Sequence, residues 1–492
     1  MSGIFDDNNR QAIPRWLDYK KACALGLLAA SRTNRQALVV LSRDPIKEKE
    51  WEDNPTLVTA ADLISESLVL ESFDDNKSKA AARYILDNAL LSSTLIRELA
   101  ETFLHHEASA PSNNIIPCES KLRRETIAIL KRTVRANPIN PIAWSDLALC
   151  YAMQGLRDKS YRAMVAALSL GATNRFILRN AARCFLHFKD PDRAVHVLRR
   201  SGLCSSDPWI ASAEIAISEG LKLHSHCIKH ARSIVNDSNL SPFSRSEIAV
   251  TLSTIEASHG LRRKANVLIK QALQDPSENA LAQVEWLATN KNTQPPPDTS
   301  IPASFEAQAR HLHRNKEFSR SLEAAKKWAL FQPFSSRPLV LATFLSSVCL
   351  NDDAHSIQIV NESCVKNIRE PLLLNNIAFA YARLGNIVAA TNALRSIQMQ
   401  GLQDRDRLTI AATYGLVMFR VGNLEEGRSL YRMAMQGFDK LSEPRAAAIA
   451  AYYWACEEKR LDSSEAPAMI EKAKELITKA GVFELEDTAN NL

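Results

Sequence analysis

"NPINPIAWSDLALCYAMQG", Asn137 to Gly155, is the stretch on which the fold turns. Trp144, Leu147, Ala148 and Tyr151 fall at i, i+3, i+4 and i+7, which is one face of an α-helix. Pro138 and Pro141 stop the preceding helix and open the next, because proline lacks the N–H a helix interior needs but suits a first turn. Gly155 lies just past the periodic run, where a helix can end in the left-handed conformation glycine adopts most easily. A second helix then carries Ser160, Met164 and Ala167, with small residues where two backbones approach and a large one beside them. The stretch predicts a helix-to-helix junction followed by the first helix of a hairpin.

Working outward, the same pattern returns at a spacing of 34 residues. Trp144 meets Leu178, Leu147 meets Ala181, Ala148 meets Ala182 and Tyr151 meets Phe185. Ser160 meets Ala194, Met164 meets Leu198, and Cys150 meets Cys184. Size class is kept at each place, as a stacked repeat requires.

These residues resemble the tetratricopeptide repeat, whose pattern of Trp, Leu, Gly, Tyr, Ala, Phe and Pro is matched by Trp144, Leu147, Ala148, Tyr151, Ser160, Met164 and Ala172, the final Pro being absent. Cleaner copies follow at Leu372 to Leu394 (Leu374, Ile377, Ala378, Tyr381, Gly385, Ala390, Leu394) and at Ile410 to Gln436 (Tyr414, Gly415, Met418, Gly422, Gly427, Tyr431, Ala434). Weaker copies occupy His259 to Pro276 and Phe305 to Pro333, while segments near Trp209 and Leu339 keep helical periodicity without the diagnostic residues. The resemblance spans Lys121 to about Thr478. It implies an all-α fold, a TPR-like α-solenoid of stacked hairpins, divided into a basic sub-array at 119–288 and a second at 305–478. "TNKNTQPPPDTSIPAS", Thr289 to Ser304, reads as a Pro-rich linker or loop at 289–304, and 479–492 as a tail. Residues 1–115 lack the repeat signature; helical runs at Pro14 to Ala30, Thr59 to Leu70, Lys77 to Leu91 and Ser93 to His105 suggest an N-terminal helical cap over the apolar end of the array.

Composition agrees with helices. The chain has only 14 Gly in 492 residues, under half the usual share of about 7%, so glycine-rich loops and tight hairpins have little to draw on. Nine scattered Cys with no Cys-x-x-Cys read as reduced, packed thiols of a cytoplasmic protein. "KKACALGLLAAS", Lys20 to Ser31, is too short to span a bilayer, and no membrane association is expected.

Catalytic signatures are missing: there is no glycine-rich phosphate loop, Gly-x-Ser-x-Gly elbow or His-Glu-x-x-His helix, so the expectation is a non-enzymatic protein without cofactor. "HSHCIKH" places His226 and His230 at i, i+4 with His224 and Cys227 nearby. Structural zinc usually draws ligands from two segments, so this cluster reads as helix surface and no metal is expected.

Charge is uneven. Residues 119–275 hold 24 Lys plus Arg against 13 Asp plus Glu. Arg175, Arg179 and Arg183 recur every four residues and form one stripe beside the packed face. In the family this array resembles, first helices line a concave surface that holds peptides. That resemblance makes the stripe, Arg179 and Arg183 above all, a candidate grip for carboxylates, and places Arg310, Asn375, Asn376, Arg383 and Arg420 on the same inner surface. An Asn carboxamide can bond an extended backbone as donor and acceptor together. The leading expectation is therefore a scaffold or adaptor binding an acidic protein or peptide segment in the groove. Two other readings stand beside it: a nucleic-acid-binding repeat using the basic 119–275 region, and a regulator that engages an effector or toxin enzyme through the cap, for instance through "AIPRWLDYKK" at Ala12 to Lys21.

Overall fold

The computed structural model describes residues 10–27, 45–69, 76–92, 94–105, 120–291, 293–297, 301–363, 370–490 and 492. Among them the fold is all-α, with no strand. No helix among the described residues is long and apolar enough to cross a membrane. The chain divides into two compact units, one of Met1–Leu28, Ile115–Asp237 and Pro242–Leu492, the other of Ala29–Asn114 with Ser238–Ser241. The region read from sequence as a single N-terminal cap is thus split, its first residues belonging with the repeats. The stretch at 289–304, read as a linker or loop, lies with both sub-arrays inside the first unit.

In the first unit, α1 (Tyr19–Ala24) and α2 (Ser120–Ala136) precede the hairpins. These pair α3 (Pro141–Met153) with α4 (Arg157–Leu170), α5 (Arg175–His187) with α6 (Pro191–Arg200), α7 (Pro208–Gly220) with α8 (Ile228–Asn236), and α9 (Pro242–Ser258) with α10 (Arg262–Ala272). Next, α11 (Glu278–Lys291) is followed by the Pro-rich stretch in place of a second helix. Pairing resumes with α12 (Phe305–Arg314) and α13 (Phe318–Phe331), α14 (Arg337–Phe344) and α15 (Asp353–Glu362), α16 (Pro371–Arg383) and α17 (Ile387–Arg395), α18 (Asp404–Arg420) and α19 (Leu424–Lys440), and α20 (Pro444–Arg460) and α21 (Ala466–Ala480). First helices also touch the first helices of neighbouring hairpins, as α3 touches α5, α5 touches α7 and α7 touches α9. Among its described residues the second unit holds four further helices, Pro45–Asp53, Leu57–Val69, Asn76–Asp87 and Thr94–His105, around Trp51, Leu63, Ile64, Ile85 and Phe103.

Local chemistry recurs with the repeat. Asn140 caps α3 by accepting from the N–H groups of Ile142 and Ala143 at 3.0 and 3.1 Å, Asn174 does the same for α5, and Asp207 for α7. Gly155 turns α3 into α4 at φ +70°, and Lys189 holds the corresponding turn at φ +61°. Five of the hairpins close where two small residues meet. The Ser160 hydroxyl donates to the Ala148 carbonyl at 2.7 Å across 12 positions, and Ser321 repeats this bond to Ala309. Ala182 with Ala194 and Ala378 with Ala390 hold the same places with no exposed surface. At Gly415 and Gly427 the backbones come so close that a Cβ on either would stand 3.2 Å from the other's carbonyl oxygen.

Around Leu339 the register is lost for a visible reason: α14 runs into a π-helical turn, Leu345–Cys349. In the segment read as a tail, residues 482–485 pack against the helices. Val482 and Leu485 are buried, Phe483 stacks on Phe318, and Glu484 pairs with Arg445 at 2.6 Å and His313 at 3.2 Å. Cys204 and Cys227 form a disulfide, against the reading of wholly reduced thiols. The 3-10 turn Leu203–Ser205 and the start of α8 bring their Cα atoms to 5.2 Å, within bonding range. Cys118 and Cys364 lie outside the described residues.

Gly427→Ala is expected to lower stability by about 1–3 kcal/mol despite alanine's better helix propensity, because the added methyl would lie 2.6 Å from Phe419 Cδ2. Urea unfolding should show a lower midpoint at unchanged slope. An unchanged or raised midpoint would reject the close-approach account.

Candidate functional site

Residues Arg10 to Leu17 are buried yet adopt no regular structure. The helix expected over Pro14 to Ala30 is confined, among the described residues, to α1, which Asp18 caps by accepting from the Lys21 N–H at 2.9 Å. A buried main chain must find hydrogen bonds somewhere. Here side chains of the first helices supply them. Asn180 on α5 accepts from the Leu17 N–H at 3.3 Å and donates to the Leu17 carbonyl at 2.9 Å, and it is steadied by Ser145 at 3.1 Å. Asn279 on α11 donates to the Ile13 carbonyl at 3.0 Å, and Gln283 one turn on donates to the Arg10 carbonyl at 2.8 Å. Asp146 on α3 accepts from the Tyr19 N–H at 3.1 Å. Pro14 brings no N–H and needs no acceptor. These contacts make helix an inferior choice for the segment.

The side chains are held as firmly. Arg10 donates to Glu306 at 2.8 and 3.2 Å, to Asn279 at 3.1 Å, and to Gln283. Arg15 forks onto Glu278 at 2.8 and 2.9 Å and reaches Glu306 at 2.7 Å. Burial draws the Arg10 guanidinium down to about 10 against the pull of Glu306. Burial pushes the Glu306 carboxyl up, but Arg10, Arg15, Arg337 and Arg310 together hold it well below the usual carboxylate range. Trp16 enters a pocket of rings formed by Phe334, His187 and Phe188, with centroids 5.3, 6.2 and 6.5 Å away. Burial, with Arg183 and Arg157 adding repulsion, pulls His187 down to about 3, so the ring under Trp16 is neutral at physiological pH.

The residues proposed from sequence have other attachments. Arg175 pairs with Asp207 at 2.6 Å, and Arg179 with Glu247 at 2.9 Å while donating to the Trp209 carbonyl at 3.1 Å. Asn376 donates to Val340 and Thr343 on the preceding hairpin, Arg383 pairs with Asp353 at 3.3 Å, and Arg420 with Glu457 at 2.6 Å. Most of these bonds span about one repeat and tie one hairpin to the next. Asn375 is buried, and among the described residues its side-chain oxygen accepts no hydrogen bond. Two candidates do border the segment: Arg310 bonds Glu306 at 3.0 Å, and Arg183 lies 5.0 Å over the Phe334 ring, lowered to about 9 by burial, Arg337 and Arg15.

The carboxamide chemistry expected at Asn375 and Asn376 is thus performed by Asn180, Asn279 and Gln283. "SENALAQVEWL", Ser277 to Leu287, carried a signal: Glu278, Asn279, Gln283 and Glu285 are polar residues in a helix whose apolar neighbours are all buried. In "HSHCIKH", α8 begins only at Ile228, so His226 and His230 do not share a helix face, and Cys227 is in the disulfide. Among the described residues no three His, Cys, Asp or Glu converge as metal ligands.

No family profile and no curated protein sequence matches this chain.

Two outcomes follow from the buried charges. Arg179→Ala leaves Glu247 buried without its counter-ion and is expected to cost about 3–5 kcal/mol, most of it recovered in Arg179→Met/Glu247→Leu. Chemical denaturation of the three proteins checks this; equal stability of single and double variants would contradict it. For His187, the folded-state value lies below the ordinary 6.5, so the unfolded chain takes up the proton first and stability falls as pH drops below 6.5. Between pH 7 and 5 the native chain should lose about 2 kcal/mol more than His187→Phe, measured as unfolding free energy at each pH. Parallel losses in the two proteins would refute the assignment.

Proposed function

We propose that this protein is a non-enzymatic adaptor, a tetratricopeptide-like helical array that grips an extended segment of a partner protein where residues 10–17 now lie. One observation carries the reading: Asn180, Asn279 and Gln283 bond main-chain atoms of an extended segment, contacts that any peptide backbone can supply. Helical arrays of this kind act by presenting polar side chains of first helices to a ligand. The nucleic-acid reading is weaker, because Asp207, Glu247 and Glu214 already take up Arg175, Arg179 and Arg199 of the basic region. The reading in which Ala12 to Lys21 contacts an effector enzyme would require residues 12–17 to leave their buried place, only Tyr19 and Lys20 of that stretch being exposed.

Panning a random-peptide library on the full chain carrying Arg10→Gln and Arg15→Gln is expected to yield peptides whose binding weakens at least about tenfold when Asn180→Ala and Asn279→Ala are added, as each lost bond to a buried backbone group costs about a kcal/mol or more. Absence of binders, or binders indifferent to both carboxamides, would overturn the proposal.

A further inference from the structure

The segment held in cis also describes what the site selects. Glu278 is buried on α11, and the Arg15 guanidinium forks onto both its carboxylate oxygens. Burial pushes its carboxyl up and Arg15 draws it back. An occupant without a cation at that point would leave a buried carboxylate uncompensated, an expensive arrangement. Five residues earlier, the Arg10 fork lands on Glu306, Asn279 and Gln283. Between the two cations the main chain is spaced by its own bonds, from the Arg10 carbonyl to Gln283 and from the Ile13 carbonyl to Asn279. Directly after the second cation, the Trp16 indole fills the ring pocket of Phe334, His187 and Phe188, and its N–H makes no hydrogen bond there. Shape and ring contact select the aromatic residue, with no polar test.

We infer that the site takes, in trans, a basic–aromatic extended segment of the form Arg-x-x-x-x-Arg-Trp from a partner protein, and that residues 10–17 are its tethered competitor. This rests on the peptide-binding reading above and departs from an acidic partner: the two carboxylates in the site face the segment's two cations. A tethered ligand acts at an effective concentration that can reach about millimolar, so an incoming segment must outcompete it or bind when it is withdrawn.

The probe is the fluorescein-labelled peptide RQAIPRWLDYKK, residues 10–21, titrated by anisotropy into the full chain carrying Arg10→Gln, Arg15→Gln and Trp16→Ala, whose helicity is first checked by circular dichroism. Saturable binding is expected, weakened at least about tenfold when both peptide arginines are Gln, and about a hundredfold or more when the wild-type chain is used, since its own segment occupies the site. Should the triple variant lose helicity, Trp16→Ala alone serves in its place, with the same ordering of peptides expected at lower affinity. Equal binding of the Arg and Gln peptides, or library binders that need Asn180 yet lack paired basic residues, would overturn this inference while leaving peptide binding intact. A wild-type chain that dimerises with rising concentration in sedimentation, and loses the dimer on Trp16→Ala, would also overturn it by assigning the site to a second copy of this chain.

Discussion

Two helices can pack at backbone distance only where neither carries a side chain in the way, and this constraint organises the repeats. Ala148 with Ser160, Ala309 with Ser321, and Gly415 with Gly427 are such places, each twelve positions apart. The serines turn the close approach into a bond, since a hydroxyl there reaches the carbonyl of the facing helix. Large residues then fill the flanks, as Met164, Phe185 and Tyr431 do with almost no surface exposed. With the hairpins fixed in this way, the polar side chains of the first helices become available for a second task.

Part of that task is joining neighbours. Arg175 to Asp207, Arg383 to Asp353 and Arg420 to Glu457 are ion pairs between consecutive hairpins, and Arg428 grips Glu458 at 2.8 Å in the same manner. The remaining part is holding residues 10–17, where the buried polar groups Asn180, Glu278, Asn279, Gln283 and Glu306 meet an irregular chain whose main-chain groups bond those side chains. Without each other, both sides would bury unsatisfied groups.

The hairpins themselves were legible in the chain, because the signals are local: Pro141 opening a helix, Gly155 closing it, and a 34-residue return of size class. The site was legible only in kind. A carboxamide clamp on an extended backbone was foreseeable from the resemblance, yet its address was not, since Arg10 and Glu306 are 296 residues apart and no local period connects them. The arginine stripe misled for a physical reason. Sequence places Arg179 beside the packed face, but whether its guanidinium meets a ligand or Glu247 depends on the helix 68 residues further on. Likewise residues 14–17 open a run with helical periodicity, and tertiary hydrogen bonds outweigh it there.

That 296-residue separation has a temporal meaning as well. A ribosome extends the chain at about 5–20 residues per second, so residues 10–17 emerge roughly 15–60 seconds before Glu306 does. Asn180 arrives midway, and the Phe334 wall of the tryptophan pocket last. Throughout that interval residues 10–17 await part of their site, with Arg10 lacking its Glu306 partner until the end. Closure of the site around the segment is therefore a late event of folding, set by the arrival of Glu306 and Phe334.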